Sequence, residues 1–230
     1  MRILICIFAV ALTACSRSPE TPAPATTATP AATGAEVAPA PVESAALSPE
    51  QVARLVRPHS PVRGRSQAPV TVVEVLDPAC EACKAFAPVV EQLLFTYPED
   101  VRVVVRYADF HPVSLQALRL LEAARVQGKA HELLAALFER QEEWASHSAP
   151  NPARAWQIAS DAGINVARAK KDALATSVDD MLNIEADDLT ALRIERTPTF
   201  FVNGKPLPTF GPQQLMDLVA SEVQAAKPNK

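Results

Sequence analysis

The stretch "DPACEACK", residues 77–84, carries two cysteines three positions apart, at a point where the pattern of the chain changes. Before it, "VTVVEVL" at residues 70–76 is rich in valine and reads as a strand buried on both faces. After it, apolar residues recur at helical spacing from about Cys80 to Tyr97, where Pro98 stops the helix. A cysteine pair at a strand-to-helix turn has three readings: a redox couple, half of a metal site, or two small core residues. The position favours reactivity, because unpaired N–H groups at a helix N-terminus lower the pKa of a thiol placed there. Cys80 holds that place, and Cys83 lies one turn on, within reach of a mixed disulfide formed at Cys80. A metal site needs further ligands, and the sequence has no second C-x-x-C. Its four histidines, His59, His111, His131 and His147, are scattered.

Beyond this stretch, "VRVVVRY" at residues 101–107 predicts a second strand. Residues 112–127, 129–144, 152–162 and 166–189 each space their apolar side chains as helices do, with Gly128 and Gly163 as stops. "PTFFVNGKPL", residues 198–207, predicts a hairpin turning at Asn203 and Gly204, and a last helix runs from about Pro212 to Ala226. Upstream, Ser48 and Pro49 open a short helix, and the Pro- and Gly-punctuated residues 57–69 leave room for a short edge strand. The order is βαβ, a helical block at about 112–189, then ββα, an α/β class.

Glu74 interrupts the buried run six residues before Cys80. A buried carboxyl there would have a raised pKa and could exchange protons with Cys83; alternatively, Glu74 belongs to a solvated face of an alternating strand. Trp144, His147 and Trp156 could line a groove over the cysteines, though core packing or helix-junction roles suit them better. His111, before Pro112, reads as the start of a helix. Asp179, Asp180, Glu185, Asp187 and Asp188 read as a solvated helical face.

The 230-residue chain carries a formal charge of -4 and no Lys/Arg-rich run to track a phosphate backbone, so nucleic acid is not an expected partner. Residues 1–14 have the shape of a signal peptide: Arg2, then an apolar run from Ile3 to Leu12 that is too short to span a membrane. "LTAC" at residues 12–15 resembles a bacterial lipobox, which implies cleavage before Cys15 and a lipid on its thiol; an ordinary signal peptide cut nearby would leave Cys15 spare. Residues 15–46, nearly all Ala, Pro, Thr and Ser after the cysteine, have too few large apolar groups to repay ordering and read as a disordered tether with a reach on the order of 100 Å. That leaves residues 47–230 for the folded domain. With Cys6 removed and Cys15 capped, Cys80 and Cys83 are the remaining thiol pair, in a compartment that permits disulfides.

From about Leu55 to Ala226 the chain resembles the DsbA-like family of exported thiol-disulfide oxidoreductases, on "APVTVVEVLDPACEACKAF", "EAARVQGKAHELLAALFERQ" and "RTPTFFVNGKPL". The resemblance implies a thioredoxin fold with helices inserted between its halves, Glu74 beneath Cys83 as a proton shuttle, and Pro198 as a cis-proline facing the cysteines. It implies that the backbone of Thr197 pairs with an extended substrate segment, as in β-augmentation. Cys80 is then the nucleophile and Cys83 the resolving thiol. No metal or organic cofactor is expected. The expected partners are proteins with thiols or disulfides, together with a membrane redox partner, either a DsbB-like oxidase or a transmembrane electron donor. The lipid would hold the protein on the periplasmic side of a membrane, and Ser16 favours the outer one by resemblance to lipoprotein sorting.

Two departures separate the chain from the strongly oxidising members: Glu81 and Ala82 stand where those carry Pro-His, and Thr197 is associated more with isomerase- and reductase-type relatives. A carboxylate beside Cys80 opposes its thiolate, which predicts a weaker oxidant. A reductase or isomerase of particular exported proteins is the alternative within the enzyme class. A copper metallochaperone using both thiols and one of His111, His131 or His147 is the alternative outside it.

Overall fold

The computed structural model describes residues 47–227; the expected signal peptide, the Cys15 attachment site and the tether lie outside the described residues. Ser48 caps α1 (Pro49–Leu55): its hydroxyl accepts from the Gln51 N–H while the Gln51 side chain accepts from the Ser48 N–H, a reciprocal box. β1 (Val62–Gly64) is the expected edge strand. Gly64 has φ 83°, and a Cβ there would meet the Val101 carbonyl oxygen and the Leu94 side chain at 2.8 Å, so glycine is what lets this edge close on its neighbour.

β2 (Val70–Leu76), α2 (Glu81–Thr96) and β3 (Val101–Tyr107) form the βαβ unit, with β2 and β3 parallel from Val70 beside Val101 to Leu76 beside Tyr107. Pro88 sits inside α2, at a cost of about 3 kcal/mol. Burial of Phe86, Val90 and Leu93, at ~1.5–3 kcal/mol each, outweighs it and keeps the helix on the sheet.

Six helices follow: α3 (Ser114–Arg125), α4 (Ala130–Glu139), α5 (Gln141–Trp144), α6 (Pro152–Asp161), α7 (Val166–Asp172) and α8 (Thr176–Ala191). The chain then closes with β4 (Thr199–Val202), β5 (Lys205–Pro206) and α9 (Pro212–Ala226). Among the described residues the sheet order is β1-β3-β2-β4-β5, with β4 antiparallel to β2. This is a thioredoxin fold with helices inserted between its halves. The hairpin turns at Asn203 and Gly204, both at positive φ, and the Asn203 side chain also accepts from the Thr71 N–H at 2.9 Å.

Both faces of the sheet are covered, which is why its central strands read as nearly unbroken apolar runs. Val72, Leu76, Val103, Val105 and Phe200 face α2, α9 and part of the inserted helices. Val73, Val75, Val104 and Phe201 face Leu55 of α1 and Leu189 of α8.

Three expectations differ from what is found. The helix predicted over 166–189 is two helices, broken at residues 173–175, where Ala175 is extended. Its halves have different tasks: α7 packs on α3, whereas α8 crosses to α1 and β3. The helix predicted over 129–144 breaks at Arg140, and this lets the Trp144 indole N–H reach the Leu137 carbonyl at 2.9 Å.

The third difference is that the acidic face of α8 is only partly solvated: Glu185 and Asp188 are buried. Arg106, on the same face of β3 as Val104, is buried too, and a buried guanidinium must be paired. It bonds Glu185 at 2.8 Å and Asp188 at 2.9 Å. Arg54 and Arg57 close on Asp188 from the N-terminal side, and His59 on Glu185.

Candidate active site

Cys80 is the N-cap of α2, in extended conformation, and its sulfur accepts from the Cys83 N–H at 3.4 Å. A cysteine thus fills the place that Ser or Asp usually takes at a helix start, and the orphan N–H groups of the first turn point at its sulfur. The Cys80 thiol donates to the Thr197 carbonyl at 3.3 Å, and the peptide bond from Thr197 to Pro198 is cis. β4 follows directly, paired with β2, so the sheet itself sets Thr197 and Pro198 against the cysteine turn.

Both cysteines are thiols, yet their environments drive them apart. Hydrogen bonding from the Cys83 thiol, against burial and with help from the Thr197 hydroxyl and the N–H groups of Cys83 and Ala82, lowers Cys80 to about 5. Burial, reinforced by Cys80, pushes Cys83 far above the usual thiol range; its relative exposure is 0%. One sulfur is a ready thiolate and the other is held as a thiol. A pair split in this way is suited to attack by one sulfur and resolution by the other.

Glu74 points to the same face of β2 as Val72 and Leu76 and is 5% exposed. Burial raises its carboxyl to about 7, with Arg63 opposing and Glu91 adding to the effect. Glu74, Ala87 and Val90 line a cavity of about 40 Å³, and Ala87 is one helical turn beyond Cys83. Arg63, Glu91 and His131 stand around the same cavity, with Arg63 bonded to Glu91 at 2.7 Å. The volume is enough for a water molecule.

Asp77, which the sequence reading passed over, anchors the cysteine turn. Its carboxylate is fully buried and accepts five hydrogen bonds: from the N–H groups of Ala79, Phe110 and His111, from the His111 ring Nδ1 at 2.9 Å and from the Ser114 hydroxyl. Its backbone carbonyl accepts from the Cys80 N–H at 3.0 Å. The residue before Pro78 thereby ties the cysteine turn to the segment between β3 and α3. An Asp-Pro pair at the end of a strand is the local sign of such a side-chain turn. Gln141 of α5 adds a second tie, donating to the Pro78 carbonyl at 3.1 Å.

His111 is therefore more than the start of a helix. His147 reaches the rim of the site, its Nε2 3.4 Å from Glu81 Oε1 and its ring 6.0 Å from that of His111. Trp144, by contrast, is wholly in the core, and Trp156 is half-buried beneath the Lys170 ammonium. His131 joins Glu91 rather than the cysteines. Among the described residues no three His, Cys, Asp or Glu side chains are grouped to hold an ion.

The model of the family described as Thioredoxin matches residues 57–219. Among solved structures, a thioredoxin-like oxidoreductase from Silicibacter pomeroyi is 26% identical, with a TM-score of 0.65 over 79% of this chain and 100% of that one. BdbD from Bacillus subtilis, in its oxidised form, gives 0.64 at 23% identity over 72% and 93%. The catalytic domain of ScsC from Proteus mirabilis gives 0.62 at 21% identity over 76% and 98%; these last two likenesses are of fold. Among curated proteins, the Na(+)/H(+) antiporter NhaA 1 of Mycolicibacterium gilvum is 32% identical over 169 residues, which is 68% of this chain and 26% of the antiporter. The chain spans about a quarter of the length of the curated relatives it matches. Among the described residues, no helix is long and apolar enough to cross a membrane.

Proposed function

The chain belongs to the thioredoxin family, in the DsbA-like form of its fold, and from that premise we propose that it is an exported thiol-disulfide oxidoreductase acting on proteins through Cys80 and Cys83. The observation that carries this reading is the split pair: a Cys80 thiol lowered to about 5 at the start of α2, beside a buried Cys83 pushed the other way.

In the oxidising direction, a substrate thiolate attacks the Cys80 sulfur of the Cys80–Cys83 disulfide. The S–S bond breaks, and Cys83 leaves with the electron pair and takes a proton from the Glu74 carboxyl. A second substrate thiolate then attacks the substrate sulfur of the mixed disulfide and expels Cys80 as a thiolate, a good leaving group at its low pKa. The substrate gains a disulfide and the enzyme keeps two electrons as a dithiol. In reverse, Cys80 attacks a substrate disulfide, and Glu74 accepts the Cys83 proton as Cys83 resolves the intermediate. The Glu74 cavity gives that carboxyl a route to water. Thr197 would pair with the substrate backbone and hold its sulfur near Cys80.

Export, acylation of Cys15 and a membrane partner complete the proposal. A DsbB-like oxidase would recharge an oxidase, and a transmembrane electron donor would recharge a reductase. Equilibration of the full chain with glutathione buffers decides direction: a potential near ~-120 mV marks a disulfide donor, and one near ~-270 mV a reductase. No exchange with glutathione, or exchange that survives Cys80→Ser, overturns the reading. Release of the protein from membranes by Cys15→Ser tests the anchor.

A further inference from the structure

Glu81 stands between the two cysteines, next to the sulfur whose negative charge the site is built to hold, and a carboxylate there works against that charge. It is 63% exposed and is met by His147, 69% exposed, at 3.4 Å. We propose that His147 is a positioning residue of the redox site, holding the Glu81 carboxylate off Cys80 and setting how far the dithiol form is stabilised.

His147 lies in the segment after α5, and α5 is tied to the cysteine turn by the Gln141 bond to the Pro78 carbonyl. His147 meets Glu81 of α2 and the His111 ring, whose plane is inclined 52° to its own. His111 in turn meets Asp77. The His111 ring Nδ1 lies 2.9 Å from the Asp77 carboxylate, which holds that ring in place. Residues 77 and 81, on either side of Cys80, are thus each tied to a histidine carried outside the cysteine turn.

A partner at position 147 draws the Glu81 carboxylate toward itself and so weakens its field at the sulfur, modestly because both side chains are exposed.

The inference rests on Cys80 and Cys83 being a redox pair, and one experiment separates the two. The full chain and its variants are equilibrated with reduced and oxidised glutathione at about pH 6 and about pH 8, and the thiolate of each is titrated by its ultraviolet absorbance. His147→Gln is expected to move the equilibrium toward the disulfide by about three- to fivefold and to raise the thiolate midpoint. His147→Lys, which supplies a cation at the same place, is expected to stay within about twofold of the wild type. In a Glu81→Gln background, His147→Gln should change nothing further, because the partner it acts through is gone. An equal shift in both backgrounds, or no shift in either, overturns the role of His147 and leaves the redox pair standing. Failure of the wild type to exchange at all overturns the oxidoreductase reading and this inference with it.

Discussion

The Cys80 sulfur lies 3.3 Å from the Thr197 carbonyl oxygen while accepting from the Cys83 N–H at 3.4 Å. The carbonyl favours a thiol and the donors favour a thiolate. The donors win, since Cys80 is lowered to about 5 with the Cys83 thiol as the largest cause. The thiolate absorbance is therefore expected to titrate near pH 5, and iodoacetamide at about pH 6 should label one cysteine and spare Cys83. Because the folded value is depressed, this ionisation stabilises the dithiol form fully above the ordinary thiol value of about 8.5, and the gain is lost as the pH falls through the folded one. A midpoint near about 8.5 would falsify the assignment.

Cys83→Ser separates the roles of the two sulfurs. With Cys80 able to attack and no thiol to resolve, mixed disulfides with protein thiols should accumulate and be released by reductant. Cys80→Ser should give none. The ratio of trapped species in the two variants, read on non-reducing gels, checks this; equal trapping would reverse the assignment.

Glu74 makes stability fall with rising pH. Its folded value of about 7 lies above the ordinary glutamate value of about 4.3, so between the two the unfolded chain ionises and the folded one does not. The penalty grows from about pH 4 and is complete above about pH 7, reaching about 3 kcal/mol. Glu74→Gln should flatten the profile and stabilise the protein by a similar amount at about pH 8, while the proposed proton exchange with Cys83 predicts slower turnover. Denaturant midpoints across pH, set beside exchange rates, measure both. A variant with unchanged rates would leave Glu74 a structural acid.

How much of this was legible in the sequence follows from distance along the chain. The strand, cysteine turn and α2 are written in contiguous residues, as is the hairpin at Asn203 and Gly204, where φ is 49° and 78°. The break at residues 173–175 carries no proline or glycine, so the apolar spacing runs through it without a mark. Asp77 finds His111 34 residues on, and Arg106 finds Glu185 and Asp188 79 and 82 residues on. Local periodicity cannot say which acid of a charged helix turns inward; that depends on where a distant arginine needs a partner.

Asp77→Asn tests the node that holds the cysteine turn. The carboxylate accepts from donors on every side, and an amide would turn N–H groups toward some of them inside a buried site. The expected loss is about 3 kcal/mol in denaturant unfolding, together with slower exchange as the turn loosens. A loss under about 1 kcal/mol would mean that the surrounding backbone holds the turn without it.

The Arg106 network sets the acid limit of the fold. Burial raises the Asp188 carboxyl, but the hydrogen bonds from Arg57, Arg106 and Arg54 prevail and hold it at about 2. A depressed folded value contributes stability that is present above the ordinary aspartate value of about 3.9 and is lost as the pH falls toward 2. That contribution is on the order of 1–2 kcal/mol, discounted because Arg54 and Arg57 are partly in water. Asp188→Asn should therefore destabilise the protein at neutral pH and erase the difference from wild type by about pH 2. Arg106→Met is the harsher change, since it leaves Glu185 and Asp188 buried without their central partner; its expected cost is about 3–5 kcal/mol. Replacing all three with apolar residues of similar volume should recover much of that loss, because it is the stranded charge rather than the missing attraction that destabilises. Chemical unfolding of the four proteins at about pH 7 and about pH 3 distinguishes these outcomes, and a triple variant no better than Arg106→Met would show that the network gives the fold more than paired burial.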